Sequence, residues 1–479
     1  MNPKSIPDAG GLPWLGQMPQ MTKDPLHFML NLARTHGPIV RFIMFGKPFI
    51  LISDSDYVRE VLVTKANLFP KAERDLAIMG PLLGYGLLTT NGAQHKKLRK
   101  LAQPAFHAKR ITTYADAMTD LATGVGDEWR DGETRDISAE MLRLTMYIVS
   151  KTLFDADRRA MSGVADQIGK AIHEIQEVVD FDFTWYDFAP QWLPLRVNRQ
   201  RKPARQMLDQ LIEGMIAERR PDGPNGQVDD RGDLLSMLML AEDENGERLT
   251  STEVRDEAIN LFVAGHETTS NALTWTWYLL SQHPQAAAKL RAELDAVLAG
   301  RTPTLHDLAN LPYTQQVIKE SMRLYPPAWS LNGRQAAADC TIGEYEIKQG
   351  QTVFISPYVM HRLAHHFPHP DEFQPERFTS EMEEALPRYA YMPFGGGPRV
   401  CIGNSFAMME AQLVLATIAQ RFELQLAPSA RVATQPMITL TAKYGLPMQI
   451  VERKPVGNLQ TEPNSHESAA TPQAELVLA

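Results

Sequence analysis

The segment Phe394–Gly403, FGGGPRVCIG, contains Cys401, one of only two cysteines in the chain. Apolar residues recur at helical spacing beyond it, so the pattern predicts a helix that begins just after the cysteine. Free N–H groups and the helix dipole at such a position favour a thiolate, which is a nucleophile and a metal ligand. The alternative is a small buried apolar residue, as most free cysteines are. The glycines favour the first interpretation, because they let the backbone approach another group closely.

A second candidate is the sequence AGHETT at Ala264–Thr269, in the middle of the strongest helical pattern, residues 251–282. Ala264 and Thr268 are four residues apart and share a helix face. Gly and Thr are poor residues for a helix interior, and Thr can hydrogen-bond back to the preceding turn. Glu267 and Thr268 could relay protons at such a loosened turn. The alternative is a packing glycine beside two threonines that face a neighbouring element.

The residues Phe394, Gly397, Arg399, Cys401 and Gly403 match every fixed position of the pattern F-x-x-G-x-R-x-C-x-G. The segment therefore resembles the cysteine loop of the cytochrome P-450 family. The resemblance implies a haem b cofactor, iron protoporphyrin IX, whose iron takes the cysteine thiolate as its axial ligand. It also implies the cytochrome P-450 fold, which is mainly α with a small β subdomain.

The AGHETT segment matches the oxygen-binding motif of the same family, [A/G]-G-x-[D/E]-T-[T/S]. The resemblance implies that Ala264 and Gly265 lie beside the haem. It gives Glu267 and Thr268 the handling of dioxygen and protons.

Glu320 and Arg323 form an E-x-x-R pair, followed by Pro375–Phe378 with the sequence PERF. An E-x-x-R pair alone is common on helices. The order of the two segments resembles the E-x-x-R triad of the family, which an arginine of the second segment completes. The resemblance therefore implies that Glu320, Arg323 and Arg377 lock the region behind the cysteine loop in a structural role.

Two haem propionates require cations in an apolar site. Arg399 is the first candidate, and Arg99 is the second, since the segment from His95 to Arg99 aligns with the W-x-x-x-R helix of the family. The chain departs from the pattern at His95, where tryptophan is usual. This histidine either donates a hydrogen bond to a propionate or is a satisfied residue elsewhere, and both interpretations stay open. Arg334 falls near a further propionate ligand of many relatives.

By resemblance, a substrate pocket is formed by the 75–88 loop, the aromatic 181–192 region, the long helix and two later turns. Its apolar character predicts a hydrophobic substrate such as a fatty acid, a terpenoid or steroid, or a polyketide, with an alkyl or isoprenoid chain favoured. The predicted lining residues are Met79, Leu82, Leu83, Phe181, Phe183, Leu261, Ala264, Ala328, Trp329, Leu331 and Tyr444.

Lys96, Lys97 and Lys100 form a basic cluster on an otherwise acidic protein. Such a cluster is usually a solvated helix face. The family places this helix beside the cysteine side of the haem, so the cluster is also a candidate docking site for an acidic electron carrier. Because no reductase segment follows in the sequence, electrons are expected from a separate ferredoxin or flavodoxin.

The formal charge of −9 argues against a nucleic-acid partner. No apolar stretch reaches the 18 residues that a membrane-spanning helix needs, so no membrane span is predicted. Two cysteines provide no disulfide framework, which is typical of a reducing compartment. These features predict a soluble bacterial type of the family with a cytoplasmic location.

Residues 1–453 are predicted to form one haem-thiolate domain and the polar residues 454–479 a disordered tail. Ser251 or Thr252 is predicted to cap the long helix. Other predicted elements are a hairpin of Ile39–Met44 and Pro48–Ser53, a loop with short helical pieces over 68–92, an aromatic loop over 181–195, and strands over 351–356 and 437–452.

The function that these features favour is a haem-thiolate monooxygenase that hydroxylates or epoxidises a hydrophobic small molecule with O2 and two electrons. One alternative is a related enzyme that uses peroxide or isomerises an oxygenated lipid. Such enzymes usually lack the acid and alcohol pair that this chain has at Glu267 and Thr268. A second alternative, from another class, is a non-catalytic haem-binding gas sensor.

Overall fold

The computed structural model describes residues 4–156, 163, 165–220, 226–243 and 246–453. Helices account for most of these residues, and the strands form small sheets. The prediction of a mainly α chain with a small β part is therefore confirmed. That residues 1–453 form a single domain stays a prediction, and the tail predicted over 454–479 lies outside the described residues.

The elements are numbered in chain order. The helices are α1 (Met18–Lys23), α2 (Pro25–His36), α3 (Ser55–Arg59), α4 (Glu73–Leu83), α5 (Gly92–Ala102), α6 (Ala108–Ile111), α7 (Ala115–Gly126), α8 (Ile137–Phe154), α9 (Ala165–Trp185), α10 (Arg196–Glu218), α11 (Leu234–Leu240), α12 (Ser251–Gln282), α13 (Pro284–Leu298), α14 (Pro312–Leu324), α15 (Pro357–Met360), α16 (Ser380–Ala385) and α17 (Asn404–Ala419). Short π or 3-10 turns are formed by Glu60–Thr64, Gln103–Phe106, Thr112–Tyr114, Leu305–Asn310, Pro375–Phe378 and Gly397–Arg399. The strands are β1 (Ile39–Met44), β2 (Lys47–Ile52), β3 (Thr134–Asp136), β4 (Arg334–Gln335), β5 (Cys340–Ile342), β6 (Tyr345–Ile347), β7 (Thr352–Ile355), β8 (Phe422–Leu426), β9 (Thr434–Pro436), β10 (Leu440–Ala442) and β11 (Pro447–Glu452).

Four strands form the largest sheet, in the order β1-β2-β7-β4. The predicted hairpin is confirmed: β1 and β2 pair antiparallel, with Ile39 opposite Ile52 and Met44 opposite Lys47. Phe45 and Gly46 both have positive φ, as a two-residue hairpin turn of type I′ requires. Strand β2 also pairs in parallel with β7, which joins the N-terminal hairpin to the C-terminal half of the chain. The other sheets are β3-β11-β8, β9-β10 and β5-β6.

Helix α12 runs through the larger of two apolar clusters and packs along α8. It begins with a capping box, in which Thr250 Oγ1 accepts from the Glu253 N–H at 3.2 Å and the Glu253 carboxylate accepts from the Thr250 N–H at 2.9 Å. The cap is therefore Thr250, and the prediction of Ser251 or Thr252 was wrong by one or two positions. The helix ends before His283 and Pro284, as predicted. The second apolar cluster surrounds the sheet that contains β1, β2 and β7.

The prediction of a loop over residues 68–92 was wrong for its central part, because Glu73–Leu83 forms the regular helix α4. Gly80 and Pro81 suggested breaks in the sequence. Pro81 lies in the last turns, however, and Gly84 ends the helix with a φ of 82°. Acidic residues occupy the first turn, where they interact favourably with the helix dipole. The spacing of the buried side chains Ile78, Met79, Leu82 and Leu83 is helical.

Two further boundaries differ from the prediction. The aromatic region over 181–195 begins inside a helix, since α9 continues to Trp185. Phe183 and Trp185, in the last turn of this helix, are exposed. The strand predicted over 437–452 is divided into β10 and β11 by a turn at Gly445, whose φ is 70°.

Candidate active site

A cavity of about 1070 Å³ brings the two candidate segments together. Ala264, Glu267 and Thr268 of α12 line it, and so do Phe394 and Cys401 from the glycine-rich segment. The two segments are therefore walls of one cavity, although more than a hundred residues separate them in the chain.

The backbone around Cys401 is held in a tight conformation. The Cys401 N–H donates to the Phe394 carbonyl at 3.0 Å. Gly397 has a φ of 65°, and a Cβ at this position would come within 1.9 Å of the Leu62 carbonyl oxygen. Only glycine fits there, so the motif glycine is required by a close backbone approach.

The sulfur of Cys401 has accessible surface because it lines the cavity. The surrounding protein nevertheless desolvates it, and burial raises the pKa of the thiol above its ordinary value. The Gly403 N–H and the charge of Arg99 act in the opposite direction but do not reverse the shift. The expected contribution of an N–H group at the helix start is therefore present, but burial outweighs it. A bound metal ion would provide the missing charge, since a coordinating thiol is deprotonated outright.

The turn of α12 that lines the cavity has extra hydrogen bonds to its carbonyl groups. Thr268 Oγ1 donates to the Ala264 oxygen at 2.9 Å, and Thr145 Oγ1 of α8 donates to the His266 oxygen at 2.8 Å. Gly265 lies between them, and a Cβ there would come within 3.1 Å of a side chain of α8. These bonds compete with the helical ladder, so the turn is held partly by side chains.

Glu267 is buried and is bound by two elements that sequence reasoning did not connect to it. Gln176 Nε2 of α9 and Thr439 Oγ1, from the turn before β10, both donate to its Oε1. Asn271 Nδ2 in turn donates to Thr439 Oγ1 at 3.1 Å. Burial raises the pKa of the Glu267 carboxyl, although both hydrogen bonds counteract the shift. A carboxyl with a raised pKa can hold and release a proton closer to neutral pH.

The predicted triad comes together away from the cavity. Arg323 and Glu320 form a bidentate pair at 2.7 and 2.9 Å, with both side chains fully buried, and Arg377 Nε lies 3.4 Å from Glu320 Oε1. Arg323 also donates to the carbonyl groups of His361 and Glu372, each at 2.9 Å. The triad thus fixes the segment that precedes the cysteine loop on α14.

One end of the cavity has an excess of positive charge. Lys71, Arg334 and Arg399 line it, and among the described residues Asp75 is the carboxylate that acts on Lys71 and Arg334. Burial lowers the pKa of Arg334 to about 10 and, with neighbouring positive charges, that of Arg399 to about 10 as well. Burial and the same arginines lower the pKa of Lys71 well below its ordinary value. Buried like charges of this kind fit an anionic ligand, and two propionates would supply the missing negative charge.

Lys71 is a residue that sequence reasoning missed. Its side chain is buried, and Nζ donates to the Leu88 carbonyl. A lone lysine in an irregular stretch gives no sequence signal. The fold brings Lys71 beside Arg334, with which it forms an isolated β-bridge.

His95 and Arg99 do not line the cavity. Arg99 Nη1 instead donates to the Val400 carbonyl at 2.8 Å, which fastens the residue before Cys401. His95 is buried, and burial together with the charge of Arg399 and other cations lowers its pKa to about 3. It is therefore neutral and can donate one N–H only.

The predicted pocket residues divide into two groups. Leu82 and Leu261 are buried without lining the cavity, and Tyr444 is exposed at a turn, with Arg431 over its ring at 4.6 Å. Those that line the cavity are Met79, Leu83, Phe181, Phe183, Ala264, Ala328, Trp329 and Leu331.

The basic cluster on α5 is smaller than the sequence suggests. Lys97 Nζ lies 3.1 Å from Asp243 Oδ2 and 3.8 Å from Glu247 Oε2, so this charge is already matched. Lys96 is exposed. Among the residues that the structure describes, no helix combines the length and the hydropathy of a membrane span.

Comparisons with known proteins identify the family to which the chain belongs. A family model described as cytochrome P450 matches residues 6–446. A cyclooctatin synthase from Streptomyces melanosporofaciens is 37% identical over 438 residues, covering 90% of this chain and 93% of that protein. A cyclooctat-9-en-7-ol 5-monooxygenase from the same organism is 35% identical, covering 88% and 89%. A pentalenene oxygenase from Streptomyces avermitilis is 30% identical, covering 93% and 97%.

Among solved structures, a cytochrome P450DA heme domain matches with a TM-score of 0.83 at 27% identity, covering 95% of this chain and 99% of that one. The chain therefore belongs to the cytochrome P450 family, and the predictions of family, fold and enzyme class are confirmed. It is a cytochrome P450 monooxygenase, for which the family implies a haem-thiolate cofactor, O2, a redox partner and a hydrophobic substrate.

Proposed function

We propose that this enzyme hydroxylates or epoxidises a terpenoid, using O2 and two electrons from a separate ferredoxin or flavodoxin. The overall reaction is RH + O2 + two electrons + two protons, which gives ROH + water. The observation that carries the proposal is the shared cavity, in which Cys401 and the pair Glu267 and Thr268 line one largely apolar space. Two relatives are named for the oxygenation of cyclooctat-9-en-7-ol and pentalenene, which are terpenoid compounds, and this favours terpenoids over fatty acids, steroids and polyketides.

The cofactor in this proposal is haem b, with Cys401 as the protein ligand of its iron. When bound, haem supplies the activation of O2 and the transfer of one oxygen atom to the substrate. Lys71, Arg334 and Arg399 bind the propionates at the charged end of the cavity. Arg99 acts through the backbone, because its bond to the Val400 carbonyl holds the loop before Cys401.

The remaining residues control protons and water. Glu267 holds a proton in a buried site and Thr268 presents a hydroxyl to the cavity from the next position of α12. We propose that the proton passes from Glu267 towards Thr268 and on to the reacting oxygen. Apolar side chains such as Leu331 and Val263 line the same cavity and exclude bulk water from this path.

The ligand assignment is tested with two matched cysteine variants. Cys401→Ala should abolish the long-wavelength Soret band of the reduced carbon monoxide complex, whereas Cys340→Ala should keep it. Cys340 lies in β5, outside the cavity lining, and is the natural control. A band that persists in Cys401→Ala would refute the assignment.

The reaction is tested by incubating the enzyme with a terpenoid library, once with a ferredoxin system and once with hydrogen peroxide alone. The proposal expects oxygenated products that require NADPH-driven electrons. Products with peroxide only would support the peroxide-using alternative, and haem binding without any product would support a gas sensor. We also propose a cytoplasmic location, because both cysteines are free thiols.

A further inference from the structure

One face of α9 contributes a carboxylate to the wall of the substrate cavity. Glu177, Asp180, Phe181 and Thr184 are spaced at i, i+3, i+4 and i+7, and all four line the cavity. Asp180 thus stands beside Phe181 on the face of α9 that borders the substrate space.

Asp180 differs from its acidic neighbours in having no protein partner within the described part of the chain. Glu177 is bound by Arg196 at 3.3 Å, and Asp182 is bound by Arg201 Nη1 at 2.6 Å. Asp187 is bound by Lys47 at 2.8 Å. No described residue forms a hydrogen bond or an ion pair with Asp180.

The environment of Asp180 is that of a cavity wall. Asp180 is exposed by its accessible surface, yet desolvation by the surrounding protein raises the pKa of its carboxyl to about 6, with no charged neighbour contributing. If Asp180 faced bulk solvent, the pKa of its carboxyl would stay near its ordinary value. If it lay in the protein interior, it would have no accessible surface. A carboxyl that borders a large apolar cavity accounts for both observations.

Its position along α9 brings it close to the proposed chemistry. Gln176, which donates to Glu267 of α12, precedes Asp180 by four residues. One helical turn advances about 5.4 Å along the axis, so Asp180 is one turn from the contact between the two helices. A group of the substrate that binds at Asp180 would fix the orientation of the rest of the molecule towards Thr268.

We propose that Asp180 accepts a hydrogen bond from a hydroxyl group of the substrate, so that the enzyme oxidises a terpenoid that is already an alcohol. The inference rests on the proposed function and specifies its substrate class. A carboxylate only accepts hydrogen bonds. A purely hydrocarbon substrate would remove water from it without providing a donor, which would weaken binding. A hydroxyl supplies that donor in a charge-assisted bond.

Two observations support the alcohol. One relative carries an alcohol in its name, cyclooctat-9-en-7-ol 5-monooxygenase. The other acid on this face, Glu177, is already matched by Arg196, so Asp180 is the acid of this face that is left for the substrate. The reaction that supplies such a substrate must already have introduced the hydroxyl group.

The test compares substrate binding by the haem-loaded enzyme to matched pairs of a cyclic terpene alcohol and its parent hydrocarbon, such as cedrol and cedrane. Dissociation constants come from the absorption shift that a substrate causes. The measured quantity is the ratio of the hydrocarbon constant to the alcohol constant, which is compared between variants. Asp180→Leu should lower this ratio about ten-fold or more, as expected for loss of a charged hydrogen bond. Asp180→Asn keeps an acceptor without the charge, so its ratio should lie between those of the wild type and Asp180→Leu.

Glu174→Gln is the control, because it changes an acid of the same helix that is paired with Lys170 and does not line the cavity. Its ratio should stay at the wild-type value. An unchanged ratio in Asp180→Leu, with hydrocarbon binding retained, would overturn the role of Asp180 and leave the proposed function intact. Tighter binding of the corresponding amine than of the alcohol, lost in Asp180→Leu, would overturn the hydroxyl assignment. If neither the terpene alcohols nor the hydrocarbons bind to the wild type, both the proposed substrate class and this inference are refuted.

Discussion

Gln176 of α9 donates a hydrogen bond to the Glu267 carboxylate of α12, and Thr439 donates to the same oxygen. The acid next to Thr268 is therefore held by two elements that also line the substrate cavity. A substrate that displaces α9 or the turn at Thr439 changes the hydrogen bonds of this acid. In the proposed mechanism, substrate binding and proton supply are therefore linked through one carboxyl group.

Thr268→Ala should keep haem and substrate binding but release hydrogen peroxide in place of much of the oxygenated product. The reason is that the cavity loses the hydroxyl that follows Glu267 on the proposed proton path. Peroxide formed per NADPH consumed is the measurement. Thr274→Ala is the matched control, because Thr274 also bonds back to its helix, at 2.8 Å, but does not line the cavity. Thr268→Ser should restore coupling, and fully coupled turnover in Thr268→Ala would contradict the assigned role.

Lys71→Met should accelerate haem loss about ten-fold or more, as expected when a charged hydrogen bond to a propionate is removed. The rate of haem loss is measured as the rate at which haem is transferred to apomyoglobin. Lys71→Arg keeps the charge and should retain more of the haem. Lys97→Met removes a lysine that is paired with Asp243 on the protein surface and should leave the rate unchanged. Equal rates for Lys71→Met and wild type would exclude Lys71 from the propionate site.

Arg323→Lys should prevent stable folding around the haem, although the charge is preserved. Lysine cannot replace the bidentate contact with Glu320 and the bonds to two carbonyl groups. Breaking a buried pair costs roughly 3–5 kcal/mol. Urea unfolding and haem content measure the effect. The exposed pair Lys289 and Glu376 offers a control, since Lys289→Met should cost under about 1 kcal/mol.

Lys96→Glu should slow reduction by an acidic ferredoxin at low ionic strength, with the difference disappearing at high salt. Lys96 is the better target than Lys97, which Asp243 already neutralises. Stopped-flow reduction rates at two salt concentrations provide the measurement. Lys170→Glu changes an exposed lysine on α9 and should have no effect. If both variants behave alike, the docking site lies elsewhere.

Glu257→Gln should stabilise the protein at pH 8 and have little effect at pH 5. Burial raises the pKa of Glu257 to about 7 from an ordinary value of 4.5. The folded state therefore binds more protons than the unfolded state between these values, so the free energy of unfolding falls as pH rises through them, by at most about 3 kcal/mol. Glutamine does not titrate and keeps an acceptor for the Leu87 N–H, which now binds at 2.7 Å.

The melting temperature at both pH values tests this prediction, with the exposed Glu384→Gln as the control. A stabilisation that is the same at pH 5 and pH 8 would show that titration of Glu257 is not its cause.

The sequence predicts those parts of the site whose residues lie close together in the chain. The cysteine loop, the AGHETT turn and the pair of Glu320 and Arg323 each lie within a few residues, and the structure assembles each of them locally. The N-terminal hairpin was predictable for the same reason, since alternating β-branched and aromatic residues surround a two-residue turn.

The parts that the sequence does not predict depend on tertiary packing. Gln176 and Thr439 meet Glu267 across 91 and 172 residues, and neither belongs to a recognisable pattern. Helix α4 formed despite Gly80 and Pro81, because burial of one face outweighs their low helix propensity. The helix start beside Cys401, whose Gly403 N–H lowers the thiol pKa, is visible in the sequence, whereas the larger effect of desolvation is not.

The parallel pairing of β2 with β7 has a consequence for how the chain reaches its native state. Phe49 is opposite Thr352, roughly 300 residues further along the chain. Contacts between such distant segments form slowly, because a long loop must close before they contribute. During synthesis, most of the polypeptide must therefore be completed before β2 can pair with β7. Until then that edge of β2 is unpaired and can associate with other chains. Chaperones that cover it during synthesis should therefore increase the recombinant yield.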